Sequence, residues 1–472
     1  MNLKGISYFI SLFCLPVSFL AFINLLFSSY FNYFLSLDSY LLTLAISLIS
    51  SLFFYLYGKK GIKKINFYEQ LILIILIYII TAIFISIPYY LSNYQITFVN
   101  SLFESFSGLT GTGFTTFENI KYLDPTLILW RSASQWIGGL FFLVFLVLFF
   151  NNVQFNYKLN DLVYSGFKNS DIETSIKKIS INIFFIYSLL TLIIFVLISL
   201  TGVRLFNGLN LSMTLISNGG FLPTNNLNQI IKNNTQEIVL ILSFIIATFN
   251  IYFFLNIFTQ KKILKLNYED FSILFFAITS SIFLFIFSKN SGFTDVLIAT
   301  LSSINTSGLY VSNVGKNFSL FLLFLTLIGG SLMSTSSGIK YLRIFILLKA
   351  SFIEIFKLVK PNNVINQSIL YSDNKITPTN VKLSFFIFVS FFLSLFILSG
   401  ILLLDSINFE NSFKLSILTI TNTVSSDLYG LSDINFSTLL TSSKIFIIIF
   451  MIIGKIELIS VFLIIKKVLF KD

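Results

Sequence analysis

The chain contains no histidine. That excludes imidazole general bases, Ser-His and Cys-His nucleophiles, and histidine metal sites. A single cysteine, Cys14, excludes a disulfide framework and cysteine-rich zinc sites. Charge is scarce too: Asp, Glu, Lys and Arg make up 11% of the 472 residues, where a soluble domain carries roughly 25%. So little charge cannot cover the surface of a soluble protein of this length. What fills the chain is apolar, at 56% hydrophobic with 59 Phe. The composition is that of an integral membrane protein.

A membrane helix needs about 20 mostly apolar residues. Runs of that kind lie near 6–30, 40–57, 70–92, 126–150, 179–201, 237–259, 271–288, 317–348, 381–404 and 444–466. These ten long runs are continuous rather than alternating, which excludes β-barrel strands. The first run lacks a small-residue cleavage site and is expected to stay on the protein. Lys and Arg gather in cytoplasmic loops. With both termini cytoplasmic, 22 of the 31 basic residues and 9 of the 20 acidic ones fall on that side, giving it +13 and the remainder −2. The polar stretches near 151–178 and 349–380 are too short for a catalytic domain.

After the first two spans a unit recurs: span, short half-apolar segment, Gly/Ser/Thr/Asn cluster, span. The short segments are 97–109, 205–216, 293–304 and 410–422, and the clusters follow at 107–114, 216–221, 303–309 and 421–427. The key positions are Gly113, Gly220, Gly308 and Ser425, spaced by 107, 88 and 117 residues. The short segments cannot span, so each is expected to dip into the membrane and return. Non-helical backbone is tolerated there only against protein or a water-filled pathway. Four such loops converging on one axis could present backbone carbonyls that replace the hydration shell of a monovalent cation. Glycine permits the required backbone angles. The helix C-termini would add negative potential. The bland alternative, ordinary small-residue loops, explains one cluster better than four.

At these residues the chain resembles the Trk/Ktr/HKT superfamily of potassium transporters, and most closely its TrkH/KtrB-like pore-forming membrane subunits. The resemblance covers essentially the whole chain. The segment from Phe103 to Phe114 looks like the first pore helix and filter, and Leu129-Trp130-Arg131-Ser132-Ala133-Ser134-Gln135-Trp136-Ile137-Gly138-Gly139 looks like the helix after it. The fold implied is all-α and polytopic. Four membrane–pore-loop–membrane repeats surround one pseudo-fourfold pore, preceded by a helix pair. The corresponding divisions are 1–64, 65–157, 158–265, 266–360 and 361–472. The resemblance implies a selectivity filter built from Thr110, Gly111, Thr112 and Gly113; Ser217, Asn218, Gly219 and Gly220; Asn305, Thr306, Ser307 and Gly308; and Thr423, Val424 and Ser425. It also implies an intramembrane gating loop carrying Gly329, Gly330, Ser334, Thr335, Ser336, Ser337 and Gly338.

Three departures stand out. Ser425 takes the place of the fourth filter glycine, a change associated in this superfamily with sodium permeation. Ser336-Ser337 replace gate glycines. Lys455 stands where relatives place an arginine below the filter. A charge inside a span costs ~2.5–3.5 kcal/mol or more and points to function; pairing of Lys455 with Glu457 is the local alternative. Glu104 could accept filter N–H groups or sit solvated at the mouth, and Arg131 could brace the filter or snorkel. Asp427 and Asp433 read as mouth carboxylates.

The function implied is uptake of K⁺, with Na⁺ as a second candidate ion, through the cytoplasmic membrane, without catalysis and with no metal beyond the transported ion. The rival classes are an ion-coupled transporter of a small solute, a membrane enzyme, and a non-conducting paralogue. The resemblance implies a homodimer and a cytoplasmic ring of nucleotide-binding, TrkA/KtrA-like regulatory subunits. The chain itself has no nucleotide-binding glycine motif.

Overall fold

A computed structural model describes residues 2–31, 37–61, 65–150, 172–259, 268–288, 291–312, 314, 316–359, 368, 375–431 and 434–456. Among them the long elements are all helical. An N-terminal pair, α1 (Leu3–Tyr30) and α2 (Leu37–Gly58), packs together, and α1 also lies against the helices Phe67–Tyr90 and Pro125–Phe150. The contact is close because Gly58 brings its backbone onto that of Tyr8. Ser51 Oγ donates to the Ser11 carbonyl at 2.9 Å.

Four units follow. The first contains α3 (Phe67–Tyr90), the short α4 (Phe98–Thr110) and α5 (Pro125–Phe150). The second contains α6 (Ile172–Leu200), the short α7 (Leu205–Ile216), α8 (Asn234–Thr248) and α9 (Ile251–Thr259). The third contains α10 (Tyr268–Phe287), the short α11 (Phe293–Ile304), α12 (Ser319–Ile328) and α13 (Tyr341–Val359). The fourth contains α14 (Pro378–Leu402), the short α15 (Phe409–Ile420) and α16 (Thr441–Ile456). Seven of the helices are long and apolar enough to cross a membrane, or eight if the bent pair α8–α9 counts as one span. Their outward faces carry bare apolar side chains, such as Phe19, Phe275 and Phe385 at 59–71% exposure. Such a surface suits lipid rather than water. Hydroxyls within the helices turn inward on their own carbonyls, as Thr81 does on Ile77 and Ser394 on Ser390.

Two expected spans are not single helices. The run near 237–259 bends by 90° between α8 and α9. No Pro or Gly causes this; the freed backbone groups find partners from elsewhere. Asn250 N–H donates to Asp270 Oδ1 at 3.0 Å, and Ile251 N–H donates to the Met333 carbonyl at 3.2 Å. The run near 317–348 leaves the helix at Gly329 and re-enters at Tyr341. Its small-residue sequence gives weak helix preference. The last expected span is described only as far as Ile456, and the basic stretches 62–64, 151–171, 260–267 and 466–471 lie outside the described residues.

The units close into a ring. Each short helix packs on the first helix of its own unit: α4 on α3, α7 on α6, α11 on α10, α15 on α14. Each also packs on a helix of the preceding unit: α7 on α5, α11 on α8, α15 on α12, and α4 on α16. The order around the ring is therefore first, second, third, fourth, so the second unit faces the fourth. Two glycines permit the tightest of these contacts. A side chain at Gly138 would run into the Leu109 carbonyl at the end of α4, and one at Gly454 into the Ile420 carbonyl at the end of α15.

Candidate functional site: four loops and the segment beneath them

Each short helix ends in the same backbone device. A residue in the left-handed region follows the helix, and the next N–H reaches back five residues, the pattern of a Schellman cap. The left-handed residues are Gly111, Asn218, Thr306 and Asn422, with φ of 76°, 53°, 60° and 49°. The reaching N–H groups are Thr112 to Ser107 O at 3.0 Å, Gly219 to Thr214 O at 2.9 Å, Ser307 to Ser302 O at 2.9 Å, and Thr423 to Leu418 O at 2.9 Å. The shared register aligns Gly111-Thr112-Gly113 with Asn218-Gly219-Gly220, Thr306-Ser307-Gly308 and Asn422-Thr423-Val424.

This register corrects one expectation. Val424, not Ser425, stands level with Gly113, Gly220 and Gly308. Without a glycine in the fourth loop, the sequence offered no marker to count from. The same alignment puts Asn422 in the site, which sequence reasoning missed. Gly113 and Gly308 need glycine for their φ of 77° and 67°.

The loop after α4 is braced by charge. Glu104 and Arg131 are fully buried and paired, Arg131 Nε to Glu104 Oε1 at 2.9 Å. Glu104 Oε2 accepts Thr116 N–H at 2.8 Å, and Oε1 accepts the Thr115 hydroxyl at 3.1 Å. The Arg131 guanidinium lies over the Phe221 ring at 4.1 Å, joining the first loop to the second. Gln135, which was unassigned from sequence, presents Oε1 to Phe221 N–H at 3.2 Å. Asp427 is not a free carboxylate, since the Tyr310 hydroxyl donates to it at 3.2 Å. Asp433 and Glu457 lie outside the described residues.

Residues 329–340 run directly under three of the four caps, and the contacts are made by the left-handed residues themselves. Thr335 Oγ1 lies 2.9 Å from the Asn218 amide and donates to the Ile216 carbonyl at 2.9 Å. Thr306 Oγ1 accepts Ser337 N–H at 3.1 Å. The Asn422 amide meets Ser337 Oγ at 3.2 Å. The fourth counterpart, Gly111, has no side chain; there Lys455 approaches, its Nζ 3.6 Å from where a Cβ would sit. Lys455 is 3% exposed, donates to the Thr335 carbonyl at 2.9 Å, and lies over the Phe142 ring at 4.8 Å. The segment is folded round a second lysine. Lys340 Nζ donates to the carbonyls of Ser331, Ser334 and Ser336 at 3.2, 3.3 and 2.5 Å. Ser336 Oγ accepts Gly330 N–H at 3.1 Å and contacts Ser334 Oγ at 2.7 Å, while Glu269 accepts Leu332 N–H at 2.9 Å. The buried Lys455 side chain thus lies against the first of four loops that end in the same cap. Among the described residues no group of acids and cysteine fit to hold a metal ion occurs.

The chain as a whole is similar to known proteins. The TrkH family, described as cation transport protein, matches residues 45–315. An uncharacterized cation transporter of Methanocaldococcus jannaschii is 26% identical over 454 residues, covering 90% of this chain and 89% of that one. The Trk system potassium uptake protein TrkG of Escherichia coli K12 is 25% identical over 418 residues, covering 85% of each. The crystal structure of the potassium transporter TrkH from Vibrio parahaemolyticus superposes with a TM-score of 0.84 at 19% identity, covering 98% of each chain.

Proposed function

The chain belongs to the TrkH family of cation transport proteins, and on that premise we propose that it forms the pore of a potassium uptake system. It is a multi-pass membrane transporter and not an enzyme. The Trk relatives are potassium uptake proteins by name, so K⁺ is the proposed cargo. The observation that carries the reading is the recurrence of one capped backbone register at four loops around a ring. Carbonyl groups of 110–113, 217–220, 305–308 and 423–425 would take over the ion's hydration. Glu104 and Arg131 would hold the first loop open against that load.

The segment 329–340 is the proposed gate. It lies in the path below the filter and is tied to it through Asn218, Thr306 and Asn422. When protonated, Lys455 adds a positive charge at the same level, a barrier to any cation leaving the filter. Opening would draw 329–340 away and release Lys455 from the Thr335 carbonyl. The glycine-free Ser334–Ser337 run is cross-linked by its own hydroxyls, so the gate moves as a block. Division into 1–64 and four units ending at 157, 265, 360 and 472, a cytoplasmic-membrane location with both termini inside, a homodimer, and docking of a nucleotide-binding regulatory ring on the basic face belong to the same proposal.

Expression in a potassium-uptake-deficient bacterium should restore growth on limiting K⁺. In vesicles containing the regulatory subunit, Lys455→Gln should raise the basal K⁺ flux. Absence of both K⁺ and Na⁺ flux from the wild type, from Lys455→Gln and from every filter-widening variant would overturn the pore reading; the K⁺/Na⁺ flux ratio fixes the ion preference.

A further inference from the structure

Three of the four loops carry glycine at the level of Gly113, and the fourth carries Val424. The ring order makes the second and fourth units opposite one another, so a side chain on Val424 can reach Gly220 only by crossing the middle of the ring. It does reach. A Cβ built on Gly220 would lie 2.5 Å from Val424 Cβ, 3.0 Å from Cγ2 and 3.3 Å from Cγ1. Adding back one carbon–carbon bond of about 1.5 Å places Gly220 Cα within about 4 Å of Val424 Cβ, which is ordinary carbon–carbon contact. Val424 also leans on its neighbour, its Cγ1 being 2.8 Å from a Cβ built on Gly308. One isopropyl group therefore touches the facing loop and the adjacent loop at once. The Gly308 carbonyl, a filter oxygen by position, accepts the Ser426 hydroxyl at 3.2 Å.

Two carbon atoms in contact leave no passage for a cation, hydrated or bare. An apolar group at a constriction also repels water, which raises the barrier to an ion further. We propose that the Val424 side chain is an aliphatic stop across the end of the filter remote from 329–340, and that it sets the cation flux through this chain. The inference rests on the pore reading above and deepens it. It adds a second closure, one built from a filter residue, in series with the gate. Val424 has no positive φ, so the side chain can swing aside without a change of backbone region. It is also only partly buried.

The test uses the full chain, purified, reconstituted in vesicles with a K⁺ gradient and compared with Val424→Gly, Val424→Ala and Val424→Leu. Gel filtration in detergent first establishes that each variant is monodisperse, and Val424→Ala stands in if the glycine variant does not fold. K⁺ flux should rise at least fivefold in Val424→Gly, rise less in Val424→Ala, and fall in Val424→Leu. A silent wild type with a conducting Val424→Gly would support the stop in its strongest form. Flux in the wild type that Val424→Gly and Val424→Ala leave unchanged would overturn the inference while leaving the pore reading intact. Silence of wild type, Val424→Gly and Lys455→Gln alike would overturn both.

Discussion

The loop after α4 turns on Gly111 and Gly113, and its flank is pinned by the buried pair of Glu104 and Arg131. The loop after α15 makes the same cap from Asn422-Thr423-Val424, with no glycine between Gly400 and Gly430. At the place of Glu104 it has Leu415, fully buried. What steadies it comes from the neighbouring unit, with Ser426 bound to the Gly308 carbonyl and Asp427 to the Tyr310 hydroxyl. The first loop is braced by its own unit and leaves its axis bare. The fourth is braced by its neighbour and fills the axis with a side chain. One backbone cap can thus be held in two ways, and the choice decides whether a loop presents only carbonyls or a carbonyl and an obstacle.

Breaking the charge brace should have the largest effect. Arg131→Leu leaves the buried Glu104 carboxyl without its partner, a loss of about 3–5 kcal/mol. Thermal unfolding in detergent should show it directly. The double variant Glu104→Leu with Arg131→Leu imitates the apolar environment of Leu415 and should recover most of the loss. Lys414→Met, which breaks the i,i+4 pair with exposed Glu410 on α15, should matter far less. Equal losses for Arg131→Leu and Lys414→Met would erase the difference between the two loops.

Gly113→Ala comes next. Its φ of 77° costs an L residue about 1–2 kcal/mol, and the new Cβ would lie 2.7 Å from Gly220 Cα. Transport should be lost while α4 and α5 remain folded, whereas Val424→Ala at the matching position should fold normally. Wild-type K⁺ flux in Gly113→Ala would show that the left-handed turn is dispensable.

Asn422→Gly would make the fourth cap like the first. Glycine relieves the left-handed strain, and the tie to Ser337 disappears. Stability should change by less than about 1 kcal/mol, since a lost hydrogen bond of about 0.5–1.5 kcal/mol is set against the relieved backbone. Basal K⁺ flux should rise two- to fivefold as the gate loses one of its three anchors. A fall in basal flux would mean that Asn422 does not restrain 329–340.

The short helices were legible in the sequence because a 12- or 13-residue apolar segment between two spans has no other place to go. All four appear within two residues of the expected ends. The break at Gly329 was legible because Gly, Ser and Thr both weaken the helix and mark the loop. The bend after Thr248 was not. Its cause is a carboxylate on another helix, Asp270, and a carbonyl of the segment 329–340, Met333, and no local pattern announces either. The same limit explains the one-residue error at Ser425. Three loops could be counted from their glycines, but the fourth is registered only by the Thr423 N–H bond to Leu418. The contacts of Asn218, Thr306 and Asn422 with 329–340 were hidden for a related reason. Asn and Thr at a helix end read as caps, and only the ring brings 329–340 beneath them.

The neighbour-supplied brace of the fourth loop predicts the smallest effect. Burial, then the nearby Asp427 charge, pushes the Tyr310 hydroxyl up to about 12 from its usual value near 10, so the phenol stays protonated and donates. A raised value of this kind contributes stability in full below about pH 10, and the contribution is lost as the pH climbs through about 12. Tyr310→Phe should therefore destabilise the protein slightly, by no more than about 1 kcal/mol for a part-buried contact screened by solvent, and should flatten the melting profile between pH 10 and 12. If the same substitution instead cost as much as Arg131→Leu, the fourth loop would depend on its neighbour as strongly as the first depends on its buried ion pair.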